Sequence, residues 1–153
     1  MKTRIIAVGK LKEDYLKAAC KEYEKRLGRY TSLEIVEVPE EKAPDNPSPA
    51  EEDIIKNKEG ERILKKVNPK RVSFALHPDG KSCTSEEFAK IIEYNPRVNF
   101  IIGGSLGLSN EVLSSARLIS LSDMTFPHQI VRVILLEQIY RGYKIIKNEP
   151  YHK

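Results

Sequence analysis

The sequence of 153 residues has few of the residue types that build disulfide-rich, metal-binding or membrane-spanning proteins. Its two cysteines, Cys20 and Cys83, are too few for a disulfide framework or a cysteine-rich zinc site. The histidines His77, His128 and His152 are isolated from one another, so they form no zinc motif. The longest apolar runs fall well short of the roughly 18 residues that a transmembrane helix needs. We therefore expect no metal and no membrane segment.

The amino terminus lacks the features of a secretory leader. Only a short apolar run separates Met1-Lys2-Thr3-Arg4 from Gly9-Lys10, whereas a signal peptide carries an apolar region of about 7–15 residues. The sequence contains no internal repeat and no low-complexity tract. Hydrophobic residues make up 40% of the chain, which suffices for the core of one domain of this length. We predict a single domain over residues 1–153 in a reducing, cytoplasmic environment.

Short apolar segments alternate with segments of helical periodicity along the whole chain. This alternation predicts an α/β fold with a mainly parallel sheet and helices on both faces. In such sheets, ligands bind beyond the carboxyl ends of the strands. The segments with strand patterns are 4–8, 33–38, 71–76, 98–102 and 117–121, and those with helical patterns are 12–27, 50–67, 84–94, 109–116 and 127–147.

The glycine-rich run Gly103-Gly104-Ser105-Leu106-Gly107 follows the predicted strand 98–102. It fails the Rossmann fingerprint, because Ser105 and Leu108 occupy the third and sixth positions, where glycines are needed. A second candidate, Gly80-Lys81-Ser82, fails the Walker A pattern because Ala75 stands where the first glycine belongs. The glycine-rich run therefore has two interpretations: a ligand-binding loop at the end of a strand, or a tight turn without a ligand.

The six residues from Ser122 to Pro127 connect the last predicted strand to the last helix. Thr125 is a candidate N-cap for this helix, and Pro127 suits its first turn. Met124 and Phe126 are apolar although they lie in a loop. They either fold back into the core or form the wall of a pocket for a flat apolar ligand.

The last predicted helix is apolar almost all round its axis, with Glu137, Arg141 and Lys144 in a narrow polar stripe. Such a helix is buried on more than one side. Because a chain of this size is too small to cover it fully, we expect a partner surface, most simply that of a two-fold homodimer. Glu137 and Arg141 are spaced four residues apart, so they form either a helix salt bridge or a site in which the arginine faces an anionic substrate.

Most of the net positive charge lies at the carboxyl-terminal end. Residues 124–153 hold five lysines and arginines against two glutamates, which accounts for +3 of the net charge of +4. This distribution indicates either a polyanionic partner such as nucleic acid or a solvated surface. In the last residues, Tyr151 could stack on a base, His152 could move a proton and Lys153 could meet a phosphate. Alternatively, the tail is frayed and has no function.

Specific motifs are spread over essentially the whole chain. They are Ile6 to Lys12, Glu22-Tyr23, Phe100 to Gly104, Leu121 to Gln129, Arg132-Val133, Glu137-Gln138, Tyr140-Arg141 and Pro150 to Lys153. Together they resemble the RlmH family of SPOUT-class large-subunit rRNA methyltransferases. The resemblance implies a trefoil-knotted α/β fold, a homodimer and S-adenosylmethionine as methyl donor. It also implies that the target is N3 of a pseudouridine in a 23S rRNA stem-loop at the ribosomal subunit interface.

The resemblance also implies which residues form the cofactor site, and it places them on three loops. One departure is Gly142, where the family usually has alanine and where a mid-helix glycine costs about 1 kcal/mol. The implied cofactor-binding residues are Leu76, Gly104, Ser122, Asp123, Met124, Thr125, Phe126 and Pro127.

The expected chemistry suggests catalytic residues in the carboxyl-terminal region. An imide N3–H is a poor nucleophile until it loses its proton, and a cation near the developing anion lowers that barrier. Arg141 and His152 are the candidates for this role, with Tyr151 positioning the base, and no metal is needed. Two alternatives remain: a non-enzymatic RNA-binding protein that uses the basic carboxyl-terminal end, and a small-molecule nucleotide binder built around the Gly103 loop.

Overall fold

The computed structural model describes all residues from 1 to 153, and strands alternate strictly with helices along the chain. This order is the one that the sequence predicts. No helix is both long and apolar enough to cross a membrane. The elements are β1 (Lys2–Val8), α1 (Asp14–Leu27), β2 (Ser32–Val38), α2 (Pro49–Lys66), β3 (Val72–Ser82), α3 (Ser85–Tyr94), β4 (Arg97–Ile102), α4 (Asn110–Ser114), β5 (Arg117–Ser120) and α5 (His128–Ile146).

All five strands form one sheet in the order β2-β1-β4-β3-β5, and every neighbouring pair is parallel. Alternate residues of a strand point to opposite faces. Ile5 and Ala7 of β1 therefore join the core under α1, α3 and α5. Ile6 and Val8 join a second core under α2 and α4. The predicted parallel sheet with helices on both faces is confirmed.

Strand β3 is longer than its sequence pattern indicates. The apolar pattern ends at Leu76, but the strand continues to Ser82. Leu76 and Lys81 both align with Ile119 of β5, so the four residues between them bulge out of the ladder. The Asp79 N–H donates to Nδ1 of His77 at 3.0 Å and holds the bulge in shape. The expected turn after Leu76 is therefore an excursion within a strand, at the carboxyl end of the sheet.

Helix α5 begins one residue later than predicted, and its N-cap is Pro127 and not Thr125. The Pro127 carbonyl accepts the N–H groups of Ile130 and Val131 at 3.0 and 3.2 Å, which closes the first turn. The expectation that Thr125 caps the helix is wrong. Proline has no N–H of its own, and no side chain caps this end of the helix.

The single chain covers α5 only in part. Helices α1 and α3 flank α5 on the sheet, and seven of its 19 residues are buried while the other twelve are partly exposed. The partner surface expected for this helix stays a prediction. A Cβ added to Gly142 would lie 2.8 Å from Cδ1 of Ile92 on α3. The glycine therefore lets the two helices approach closely, which gives a local reason for the departure from alanine.

Candidate functional site

Three loops at the carboxyl edge of the sheet enclose a cavity of about 150 Å³. One of them is the bulge within β3, and the other two follow β4 and β5. The three strands are adjacent in the sheet in the order β4-β3-β5. This is the edge at which parallel sheets bind ligands. The residues that line the cavity are Leu76, His77, Pro78, Ile102, Gly103, Ser120, Leu121, Ser122, Met124, Thr125, Phe126, His128 and Val131.

The walls of this cavity carry no aspartate, glutamate, lysine or arginine side chain. The titratable groups on them are two histidines, and burial lowers the pKa of His128, so its ring is neutral at pH 7. Two hydrogen bonds shape the last loop. The Ser120 hydroxyl donates to the Ser122 carbonyl at 2.9 Å, and the Met124 N–H donates to the Ser122 hydroxyl at 3.0 Å. The result is an uncharged, largely apolar cavity.

The glycine-rich run is both a cavity wall and a tight turn. Gly103 lines the cavity. The Gly107 N–H donates to the Gly104 carbonyl at 3.1 Å, and Gly107 has a φ of +89°, which favours glycine. A Cβ on Gly104 would face Val8 at 3.1 Å and a carboxylate oxygen of Glu59 at 3.3 Å. Gly104 therefore packs against the strand and helix beneath the loop.

Glu59 of α2 packs beside the glycine-rich run at Gly104. It is 4% exposed and accepts the Glu41 N–H at 2.9 Å. Burial raises the pKa of its carboxyl group, and the neighbouring Glu40 adds to that shift. Glu59 thus joins three segments: helix α2, the loop after β2 and the glycine-rich run.

A second group of polar side chains forms where the carboxyl-terminal tail folds back on α5; we call it the tail cluster (Glu86, Glu137, Arg141, Tyr151 and His152). Arg141 binds Glu137 at 2.6 Å, so the salt bridge expected from the four-residue spacing is present. The Arg141 guanidinium carbon also lies 4.7 Å from the centre of the Tyr151 ring. The Tyr151 hydroxyl donates to Glu137 at 3.1 Å, and burial raises its pKa, so it remains protonated. The cluster holds the three predicted catalytic residues together.

The hydrogen bonds of His152 assign its tautomer. A guanidinium can only donate, so the contact of 3.1 Å between Arg141 and Nδ1 of His152 makes that nitrogen an acceptor. Nε2 then carries the proton and donates to Glu86 at 2.7 Å. This bond also lowers the pKa of the Glu86 carboxyl group. In this arrangement the Nδ1 lone pair of His152 is occupied by Arg141.

The tail cluster lies away from the cavity of its own chain. Val131 lines the cavity, and Arg141 is ten residues further along α5. At 1.5 Å per residue, this spacing separates them by about 15 Å along the helix axis. No residue of the tail cluster lines the cavity. Within one chain, the two groups are separate sites.

Ion pairs neutralise much of the basic carboxyl-terminal end. Arg132 is 5% exposed, binds Glu37 at 2.5 Å and donates to the carbonyl of Gly9. Lys144 binds Glu149 at 2.8 Å. With the Arg141 pair, three of the five cations in residues 124–153 are engaged within the fold. The charge of this region does not form the free basic surface that the sequence suggests.

Comparison with known sequences identifies the family. Residues 1–152 match the family described as predicted SPOUT methyltransferase. The chain belongs to the SPOUT methyltransferase family. It is 55% identical, over 159 aligned positions that cover 100% of both chains, to a protein of Clostridium beijerinckii named ribosomal RNA large subunit methyltransferase H. Proteins of the same name from Clostridium kluyveri and Clostridium botulinum match with the same identity and coverage. The resemblance found in the sequence motifs is confirmed.

Five of the eight implied cofactor residues of this SPOUT chain line the cavity: Leu76, Ser122, Met124, Thr125 and Phe126. The other three, Gly104, Asp123 and Pro127, belong to the same loops but do not line it. The role of all eight stays a prediction.

Several residues of both sites lie outside the predicted set. His77, Gly103 and His128 line the cavity and directly adjoin residues of that set, so extending it by one neighbour would have found them. The bulge in β3 that holds His77 is not visible in the sequence pattern. Glu86 contacts His152 from 66 residues away, and no local signal connects the two.

Proposed function

We propose that this SPOUT methyltransferase transfers the methyl group of S-adenosylmethionine to N3 of a pseudouridine in 23S rRNA, in a stem-loop at the ribosomal subunit interface. Because the substrate is the ribosome, the reaction takes place in the cytoplasm. The whole chain, 1–153, acts as one domain with the trefoil knot of its family. The observation that carries the proposal is the uncharged cavity at the carboxyl edge of the sheet, in a chain 55% identical along its full length to large-subunit rRNA methyltransferases.

The lining of the cavity fits the methyl donor. Leu76, Ile102 and Phe126 provide apolar surface for the flat base of the adenosyl group. Backbone groups of the three loops and the Ser120 and Ser122 hydroxyls are available for its polar edges. S-adenosylmethionine carries a methyl group that is already activated on a cationic sulfonium. Since no lysine or arginine lines the cavity, nothing there repels that positive charge.

The tail cluster supplies the charged group, the aromatic ring and the imidazole that act on the target base. The target N3 must lose a proton, and the Arg141 guanidinium stabilises the negative charge that develops on the base. The Tyr151 ring, held edge-on to Tyr140 with ring centres 4.9 Å apart, offers a surface that orients the base. His152 can accept a proton only after Nδ1 releases Arg141, so substrate binding would have to rearrange this contact.

We further propose that the tail cluster of one chain completes the cavity of another in a two-fold homodimer. The separation of about 15 Å along α5 prevents the cluster from acting on its own cavity without a large rearrangement. A symmetric pair of chains supplies two equivalent composite sites, each with a cavity from one subunit and a tail from the other.

Methyl transfer to unmethylated ribosomes tests the function. We expect the purified protein to incorporate labelled methyl groups from S-adenosylmethionine into 23S rRNA, at N3 of one pseudouridine, and to leave free nucleosides unmodified. Binding to ribosomes without methyl transfer would instead support the non-enzymatic RNA-binding alternative. Modification of free nucleosides at a comparable rate would support the small-molecule alternative.

Mixing two inactive variants tests the composite site. Phe126→Ala impairs the cavity, and Arg141→Ala impairs the tail cluster. If the sites form between subunits, half of the dimers in an equal, fully exchanged mixture are mixed, and each mixed dimer has one intact site. The mixture should then recover about a quarter of the wild-type activity. Recovery should be absent if cavity and cluster act within one chain, and a protein that sediments as a monomer at micromolar concentration would contradict the dimer.

A further inference from the structure

The amino edge of the sheet, opposite the cofactor cavity, carries a row of cations. Lys2 of β1 aligns with Arg97 of β4, and Arg71 directly precedes Val72, which aligns with the residue after Arg97. Arg117 begins β5 on the other side of β3. Four adjacent strands therefore start at or next to a lysine or arginine. At about 4.8 Å between strands, the row spans about 14 Å.

Two lysines extend this row on the α2 side. Arg4 of β1 donates to the Lys66 carbonyl at 2.8 Å, which fixes the end of α2 against the amino edge. Lys70 lies in the short connection from α2 to β3. We call Lys2, Lys66, Lys70, Arg71, Arg97 and Arg117 the amino-edge surface.

The cations of the amino-edge surface are free. None forms a salt bridge or donates a side-chain hydrogen bond within the protein, and all except the half-buried Arg71 are exposed. Glu34, an acid on the neighbouring strand, is already engaged by Arg4 at 2.5 Å. This contrasts with the carboxyl-terminal end, where Arg132, Arg141 and Lys144 are paired within the fold. The amino edge thus presents six lysines and arginines that no carboxylate of the fold neutralises.

The shape of this edge suits an extended polyanion. An open groove of about 450 Å³ runs between the starts of β3 and β5, with Arg71 and Arg117 on its walls. The Ser114 and Ser115 hydroxyls on the same wall donate to carbonyls within α4, so the arginines supply the donors that face the groove. Tyr94, at the end of α3, is 78% exposed and lies three residues before Arg97. Arginines that bind phosphates and an exposed aromatic ring on which a base can stack are the residue types that RNA-binding surfaces use.

We propose that the amino-edge surface binds the sugar–phosphate backbone of rRNA, as a docking contact remote from the methylated nucleotide. The inference rests on the proposed function. The six residues of β4 place Arg97 about 17 Å from Ile102 at the cavity, a distance that only a large substrate can span. Phosphate contacts of this kind position a protein on RNA without reading its sequence. The surface therefore sets the affinity for the ribosome and leaves the chemical step unchanged.

A double variant, Arg97→Gln with Arg117→Gln, tests the proposal. Neither side chain has a partner in the fold, so the variant should unfold at the wild-type temperature. We expect the KM for unmethylated ribosomes to rise about tenfold, with kcat and S-adenosylmethionine affinity unchanged. In direct binding to ribosomes, the slope of log K against log salt should fall by about 2, roughly one for each lost phosphate contact.

Two matched variants control for charge. Lys42→Gln with Lys58→Gln removes the same charge from exposed, unpaired positions away from the amino edge and should retain the wild-type KM and salt slope. Arg97→Lys with Arg117→Lys keeps the charge and should retain most of the slope. The inference is overturned if the glutamine variant at Arg97 and Arg117 behaves like the Lys42 and Lys58 variant.

The remaining outcomes separate this inference from the proposed function. If wild-type protein methylates ribosomes and the double variant shows the same KM and slope, the amino-edge inference alone fails. If the protein binds ribosomes with a slope that depends on Arg97 and Arg117 but transfers no methyl group, the proposed function alone fails. A slope that changes on intact ribosomes but not on naked 23S rRNA would assign the surface to a ribosomal protein and overturn the RNA assignment.

Discussion

The cavity and the tail cluster are built from opposite kinds of residue. The cavity is lined by apolar side chains, serines, a threonine, a glycine and two histidines, and it carries no carboxylate, lysine or arginine. The tail cluster consists of an arginine, two glutamates, a histidine and a tyrosine joined by ion pairs and hydrogen bonds. A cationic methyl donor favours the first environment, and a base that must lose a proton favours the second. In the proposed function, the two steps therefore take place in different surroundings, which two separate groups of residues provide.

Deletion of residues 150–153 should have the largest effect, because it removes Tyr151 and His152 from the tail cluster and leaves the cavity intact. We expect methylation of ribosomes to fall by at least about 10²-fold, since misplacing reacting groups by about 1 Å can already cost that much. S-adenosylmethionine affinity, measured by calorimetry, should stay within about twofold of wild type. A truncated protein with the wild-type methylation rate would show that the tail is only a frayed terminus.

Phe126→Ala should impair the cavity and leave the tail cluster intact. Losing one large apolar wall should weaken S-adenosylmethionine binding by about 10- to 100-fold, which corresponds to about 1.5–3 kcal/mol. Met124→Ala serves as the control, because Met124 lines the same cavity but is 75% exposed and contributes less buried surface. Equal affinities of the Phe126 variant and the wild type would remove this loop from the cofactor site.

Glu59→Gln should make stability less dependent on pH. Burial raises the pKa of this carboxyl group above its ordinary value of 4.5 in the folded protein. Its contribution to stability is therefore greatest below pH 4.5 and is lost as the pH rises through the folded-state pKa. Glutamine keeps an oxygen that can accept the Glu41 N–H, so the variant should gain about 2–4 °C in Tm at pH 8 and less at pH 4.5. Thermal melts at the two pH values measure this difference, and a larger gain at the lower pH would contradict it.

Gly142→Ala should have the smallest effect, because two terms oppose each other. Alanine gains about 1 kcal/mol of helix propensity, but its Cβ meets Cδ1 of Ile92 at 2.8 Å. The contacting atom is the flexible end of a side chain, so we expect the free energy of unfolding to change by less than about 1 kcal/mol. Adding Ile92→Val removes the contacting methyl group. The free energy of unfolding of the double variant should therefore be higher than the sum of the two single-variant changes predicts. A denaturant titration of the four proteins tests this coupling.

The sequence predicts the fold and the position of the cavity well, because both depend on local patterns. Apolar runs such as 98–102 identify strands, and strands separated by helices imply a parallel sheet whose carboxyl edge binds ligands. Family motifs then point to Leu76 and to the loops that follow β4 and β5. The bulge after Leu76 was not predicted, because it depends on pairing with Ile119 of a distant segment. The N-cap of α5 is Pro127, two residues after the predicted Thr125.

The sequence by itself determined the order of the elements, the placement of the candidate ligand loops at the carboxyl edge and the membership of the SPOUT family. Tertiary structure alone decided which charges are free. In the sequence, Arg132, Arg141 and Lys144 look like a basic end, but folding pairs each with a glutamate. The parallel strands instead bring Lys2, Arg97 and Arg117 to one edge from three distant segments. Whether a charge is neutralised depends on the groups within a few ångströms of it, and in a folded chain most of those groups are remote in sequence.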